Sequence, residues 1–335
     1  MIAKLNPTPS EEPERHSIDA CRGVHVLRLS VTDRCNFRCR YCMPVRGAAW
    51  TPQPELLDRD RVVEQVVWLA QHTGIRVVRI TGGEPLVRRD LPELLSVLRA
   101  IPQIEELALT TNASMLALHA ARLREAGVSR LNISLDTLDP ERFTRLTRGG
   151  DLHLVLLGIE AAVKAGLGPI KLNAVLQAST WQEDVPALLD YAAELGAELR
   201  FIEMMCTGTE QDWCQSEYVS VQTVQRWLQA RTQVAMDLPT ASPARRSWLA
   251  WRGRAVTVGW ISPRSHPFCA NCERLRMDAR GRLRRCLMDP VLLNLPGLRS
   301  RLDDAQAAAA LARYMADKHP PLAMCSSTPM SAVGG

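Results

Sequence analysis

Val24-His-Val-Leu-Arg28-Leu-Ser30-Val-Thr-Asp-Arg-Cys35-Asn-Phe-Arg-Cys39-Arg-Tyr41-Cys42-Met-Pro44 runs from an apolar strand straight into a loop with three cysteines. The stretch that follows, 58–73, opens on an acidic residue, sets Val62, Val63, Val66, Val67 and Ala70 on one stripe and stops at Gly74, which predicts a helix. A second apolar run at 76–81 restarts the pattern. Further runs at 106–111, 130–136, 170–176 and 198–204 join 24–30 and 76–81 as six strands, each dense in Val, Ile and Leu. Parallel strands covered on both faces have this composition. Strands alternating with helical segments predict an α/β fold, an incomplete (βα)6 TIM-like barrel rather than a closed eight-stranded one.

The rhythm breaks after Thr207. A helix near 220–230, prolines at 239 and 243 and a strand at 255–261 lead to a hairpin, 275–278 and 283–287, turning at Ala279-Arg-Gly-Arg282. A helix over 303–318 completes a smaller C-terminal α+β region. The reading divides the chain into a flexible N-terminal segment (1–18), the partial barrel (19–240), the C-terminal region (241–325) and a mobile tail (326–335).

The composition, 46% hydrophobic and 23% charged, is that of a soluble globular protein, and no apolar run reaches the roughly 18 residues of a membrane span. Residues 1–19 are polar and lack the apolar stretch of an export signal, so a cytoplasmic protein is expected. A net charge of +5 on 335 residues is too mild to indicate a nucleic-acid partner. Ten cysteines without an export signal point to metal or catalytic use rather than disulfides. Six of the ten fall in two clusters.

Cys35, Cys39 and Cys42 make CxxxCxxC in the loop after the first strand. Three thiolates are one short of the four that an iron-sulfur cubane takes, so one iron would stay open, whereas structural zinc closes its shell with four ligands. With Tyr41 before the last cysteine, and with Thr81-Gly82-Gly83-Glu84-Pro85 one βα unit later, the chain resembles the radical S-adenosylmethionine (SAM) superfamily. That resemblance implies a 4Fe-4S cluster whose open iron chelates S-adenosylmethionine.

Cys269, Cys272 and Cys286 again offer three ligands. A zinc knuckle is the alternative here, and His266 is the residue that would complete it. Separately, Arg28, Arg79 and Lys171 lie on otherwise apolar strands, where a cation needs an anion: a ligand, or an internal partner such as Glu84, Asp136 or Glu203.

Phe268-Cys-Ala-Asn-Cys-Glu-Arg-Leu-Arg276 with Gly281-Arg-Leu-Arg-Arg-Cys286-Leu resembles the GTP 3′,8-cyclase family, which opens molybdenum cofactor synthesis. The resemblance implies a second 4Fe-4S cluster that holds the purine of GTP. It assigns GTP contacts to Arg28, Arg79, Thr110, Lys171, Arg274, Leu275 and Arg276, and S-adenosylmethionine contacts to Tyr41, Gly83, Ser134 and Met205. It further implies a Gly334-Gly335 tail reaching the active site, a flavodoxin- or ferredoxin-like electron donor and a cyclic pyranopterin monophosphate synthase downstream. A homodimer is left open; no nucleic acid or membrane partner is expected. Two stretches depart from the family pattern: Met205-Cys206, where Met-Pro is usual, and Gln177-Ala-Ser-Thr180, where Arg-Gly-x-Asn is usual. The rivals are a peptide-modifying radical SAM enzyme with an auxiliary cluster, and a zinc-stabilised nucleic-acid-binding protein.

Overall fold

A computed structural model describes residues 21, 23–207, 210–238, 245–269, 272–318, 325–326 and 330. The segment 1–18 and the Gly334-Gly335 pair lie outside the described residues. All six predicted strands form: β1 (Val26–Ser30), β2 (Val77–Thr81), β3 (Glu106–Thr111), β4 (Arg130–Ser134), β5 (Ile170–Val175) and β6 (Glu198–Ile202). They pair in sequence order and in parallel. The helices between them are α1 (Arg59–His72), α2 (Leu91–Arg99), α3 (Leu116–Glu125), α4 (Pro140–Thr147), α5 (Leu152–Lys164) and α6 (Trp181–Leu195). The acidic start of α1 works as a cap, with the Asp58 carboxylate accepting from Arg61 N at 2.9 Å. Of its stripe Val62, Val66 and Ala70 are buried and Val63 and Val67 half-buried, while Trp68 and Leu69 add to the buried face.

After β6 come β7 (Cys206–Thr207), α7 (Gln211–Ser216), α8 (Val221–Gln229), β8 (Val234–Leu238), β9 (Arg245–Trp251) and β10 (Arg254–Ile261). Then follow β11 (Arg274–Met277), β12 (Arg282–Arg284), β13 (Leu293–Asn294), α9 (Leu295–Arg299), α10 (Asp304–Ala316) and β14 (Cys325–Ser326). The predicted hairpin is β11 and β12.

The C-terminal strands do not form a sheet of their own. β11 pairs in parallel with β1 and β10 in parallel with β6, so the C-terminal part of the chain extends both edges of the barrel sheet. The order over the described residues is β13-β12-β11-β1-β2-β3-β4-β5-β6-β10-β9-β8. Loops at the C-terminal ends of parallel strands are where barrel enzymes build their sites. Here the first cysteine loop follows the C-terminal end of β1, whereas Cys269 and Cys272 precede β11 and Cys286 follows the antiparallel β12, which sets the second cysteine group at the N-terminal end of β1.

Among the described residues no helix is long and apolar enough to cross a membrane.

Candidate active site

The loop from Val31 to the start of α1 is pinned before any ligand is considered. Cys42 N and Met43 N both donate to Cys39 O at 2.9 Å, and Arg38 N and Arg40 N donate to Thr147 O and Leu146 O at 3.0 and 2.9 Å. Phe37 packs edge-on against Phe143, with ring centroids 5.9 Å apart. Gly82 and Gly83 press against the other side of the loop. A Cβ at Gly82 would sit 2.6 Å from Thr32 O, and one at Gly83 would sit 2.2 Å from Arg34 O. Only glycine permits that approach. Gly83 N also donates to Thr32 O at 2.8 Å, so the Gly-Gly pair clamps the cysteine loop whatever else it contacts.

Glu84, next in the motif, is buried and accepts from Thr111 Oγ1 at 2.6 Å, Asn112 N at 2.7 Å and Leu86 N at 3.1 Å. Burial still pushes its carboxyl up to about 7.

Burial likewise drives the Cys35 thiol up to about 11 and the Cys39 thiol well above its ordinary value, with Cys42 adding to the effect at Cys39. A bound cation would reverse this and draw out the thiolates. Among the described residues no three His, Cys, Asp or Glu side chains converge as the ligands of one metal ion do. The fit to a cluster rests on the donor set: three free thiols on one clamped loop, one fewer than a closed site needs.

Tyr41 turns inward, its hydroxyl donating to Asp136 Oδ2 at 2.7 Å, while Asp136 Oδ1 accepts from Val175 N at 2.7 Å. This ties the loop to the ends of β4 and β5. Asp136, Tyr41, Ser134 and Met205 all line one cavity of about 1190 Å³, counting space open to solvent, inside the sheet. The same cavity is lined by Arg28, Arg79, Thr110, Arg274 and Arg276, so the residues assigned to two different ligands share one chamber.

Its floor is unusual for a protein interior. Arg276, Arg28 and Arg79 are register partners on three neighbouring strands, so three guanidinium groups stand in one row. Like charges placed opposite one another destabilise a sheet. Burial and then the neighbouring Arg276, Arg274 and Arg79 hold Arg28 well below the usual arginine range. Arg79 is lowered to about 10 by burial and then by Arg130, Arg274 and Arg200, and Arg276 to about 10 by burial and Arg274. Arg79 Nε and Asn173 Oδ1 are buried without a hydrogen-bond partner. Five arginines and two carboxylates, Asp136 and Glu203, line the cavity, a lining whose chemistry suits an anionic ligand.

Cys269, Cys272 and Cys286 come together around a second cavity of about 710 Å³. It shares Met205, Arg274, Arg276 and Leu287 with the first, so the two spaces adjoin. Lys318 Nζ donates to Cys272 O at 2.5 Å and Arg274 O at 2.7 Å. Burial pushes the Cys272 thiol up, but Lys318 and Arg274 outweigh it and hold the thiol below its ordinary value. His266, which a closed zinc site would have used, is exposed, its ring 2.9 Å from Gln222 Nε2.

Two assigned GTP contacts sit differently from the rest. Leu275 lies between Arg274 and Arg276 on β11 with its side chain in the core. Lys171 reaches Glu198, its Nζ 3.0 Å from Oε2, rather than Glu84, Asp136 or Glu203. The residue-by-residue reading missed Arg200, Asn132 and Asn173 as cavity walls. Their signal was parity, since each is a polar residue at the inward position of a strand, two from another inward polar group.

Residues 29–192 match the Radical SAM superfamily and 197–323 match Molybdenum Cofactor Synthesis C. The chain is 39% identical over 305 residues to a GTP 3′,8-cyclase of Pelotomaculum thermopropionicum, covering 89% of this chain and 93% of that one. It is 43% identical over 287 residues to GTP 3′,8-cyclase 1 of Pseudomonas aeruginosa, covering 84% of each. A GTP 3′,8-cyclase of Mycolicibacterium smegmatis is 37% identical over 344 aligned positions, covering 99% of this chain and 95% of that one. Among solved structures, Streptococcus suis SuiB bound to precursor peptide SuiA shares the fold, with TM-score 0.57 and 15% identity over 96% of this chain and 72% of that one. The chain therefore belongs to the GTP 3′,8-cyclase family of radical SAM enzymes.

Proposed function

We propose that this protein converts GTP to (8S)-3′,8-cyclo-7,8-dihydroguanosine 5′-triphosphate, the first step of molybdenum cofactor biosynthesis. One observation carries the reading: Cys269, Cys272 and Cys286 line a cavity that shares Arg274 and Arg276 with a larger one, and Tyr41 of the first cysteine loop lines that larger one. The radical SAM match brings a 4Fe-4S cluster and S-adenosylmethionine. Cys35, Cys39 and Cys42 would hold that cluster. Loaded, it supplies with S-adenosylmethionine the 5′-deoxyadenosyl radical that takes the ribose 3′ hydrogen. The ribose C3′ then bonds C8 of guanine, and one electron and one proton complete the dihydro product.

The chain's own residues position these partners. Tyr41, held by Asp136, with Gly83, Ser134 and Met205 would flank S-adenosylmethionine. Cys269, Cys272 and Cys286 would carry a second 4Fe-4S cluster, with the guanine at its open iron. Arg28, Arg79, Thr110, Lys171, Arg274, Leu275 and Arg276 would receive GTP, Leu275 through its backbone alone. Arg200 joins them as a cavity wall.

The Gly334-Gly335 tail is read as entering the same space. Met330 supports this, since it lines the main cavity and its N donates to Cys42 O at 3.2 Å. The division at 240/241, a cytoplasmic setting, a flavodoxin- or ferredoxin-like donor, a downstream cyclic pyranopterin monophosphate synthase and a homodimer complete the proposal.

Anaerobic reconstitution tests it. About eight irons per chain, with the spectrum of the second cluster shifted by GTP, is the expected result. Eight irons with no response to GTP would assign another substrate, and bound zinc without iron would overturn the radical chemistry.

A further inference from the structure

At the start of β5 and β6 the structure holds an ion cluster that the reaction itself leaves unexplained. Glu198, on β6, is nearly buried at 8% exposure. Its Oε1 accepts from Arg200 Nε at 2.6 Å, its Oε2 accepts from Lys171 Nζ at 3.0 Å, and Oε2 lies 3.1 Å from Arg246 Nη2. Gly259, the register partner of Arg200 on β10, leaves room for this arrangement: a Cβ there would meet Arg200 Cγ at 2.9 Å.

Arg200 faces the main cavity, whereas Lys171, Glu198 and Arg246 line a separate basal pocket of about 650 Å³ with Pro169, Gly196 and Thr257. Glu198 therefore stands at the partition between the two. Three cations share its single carboxylate, and the buried Arg246 Nε has no hydrogen-bond partner. The cluster is short of negative charge, and a buried excess of one sign is costly.

We propose that Glu198 is an internal competitor for the far end of the substrate's polyphosphate. It holds Lys171 and Arg200 when no nucleotide is bound, yields them to a terminal phosphate, and so sets the margin by which a triphosphate is bound over a monophosphate. The inference rests on the reading of GTP as substrate. Glu198 is a positioning residue in this account, acting through Lys171 and Arg200, and Arg246 draws its carboxylate away from them from outside the cavity.

Neutralising the competitor and strengthening it then have opposite effects. In Glu198→Gln the two cations are free for phosphate. In Arg246→Gln the carboxylate keeps its charge but loses its outer partner, and grips Lys171 and Arg200 harder.

The test is anaerobic equilibrium binding of GTP, GMP and guanosine to the reconstituted holoenzyme and both variants. Glu198→Gln should bind GTP roughly tenfold more tightly and Arg246→Gln roughly tenfold more weakly, with GMP and guanosine little changed in either. Loss of GTP affinity in both variants, or an unchanged GTP-to-GMP ratio in both, would overturn the proposal. Arg246 is a third exposed, so its variant decides the matter if Glu198→Gln fails to fold. A wild-type holoenzyme that binds no GTP would sink the functional reading itself, an outcome separable from the other two.

Discussion

Arg79 concentrates the residue-scale argument. It is a cation on an apolar strand, in register with Arg28, with its Nε buried and lacking a hydrogen-bond partner, in a cavity where arginines outnumber carboxylates. Protein folding alone gives no reason to build such a row. Arg79→Gln should therefore weaken GTP binding about tenfold to a hundredfold, the worth of one hydrogen bond to a charged group, and leave guanosine nearly unaffected. Titration calorimetry with both ligands checks it, and equal losses for the two would remove Arg79 from the phosphate contacts. In the loop after β1, replacing Cys35, Cys39 or Cys42 with Ala should abolish S-adenosylmethionine cleavage, followed as 5′-deoxyadenosine by chromatography. Residual cleavage near the wild-type rate would mean that another set of ligands holds the cluster.

At the scale of elements, Glu84 fastens the turn after β2 to the end of β3 through Thr111 and Asn112. Burial raises its pKa from an ordinary 4.5 to about 7, so the folded state holds the proton more tightly than the unfolded chain does. The contribution of this group to stability is complete below about 4.5 and is lost as pH rises through 7. Urea midpoints should therefore fall further between pH 5 and pH 8 in the wild type than in Glu84→Gln. Parallel curves for the two would show that Glu84 is ionised throughout.

At the start of β11, Lys318 bonds the carbonyls of Cys272 and Arg274 and so joins the end of α10 to the second cysteine group. Lys318→Met should lower the iron content of the reconstituted protein from about eight toward about four, with the first cluster retained. Full iron with normal GTP binding would leave Lys318 a packing role only.

For the whole molecule, the strands were legible because a parallel strand covered on both faces is a dense apolar run, and all six stand out as such. Arg28 and Arg79 were legible as charges breaking those runs. Arg200 was not, although Leu199 and Phe201 flank it in the same way; extending the alternation from Lys171 to Asn173, and from Glu198 to Arg200, would have found the remaining walls. The partner of Lys171 was out of reach for a related reason, because Glu198 read as the start of a strand rather than as a buried carboxylate. The placing of β11 beside β1 and of β10 beside β6 could not be read locally at all. Those pairings join residues far apart in the chain, and no local pattern encodes them. Yet they decide the function, since β11 carries Arg276 into register with Arg28 and brings the second cysteine group to a cavity that adjoins the main one.

In the proposed reaction the ribose of GTP lies where the radical from S-adenosylmethionine can reach its 3′ hydrogen. It is tested most directly with GTP deuterated at C3′, S-adenosylmethionine and reductant, by mass spectrometry of the 5′-deoxyadenosine released. One deuterium transferred into 5′-deoxyadenosine, together with the cyclised triphosphate, is the expected result. 5′-Deoxyadenosine formed without deuterium in the presence of bound GTP would contradict it.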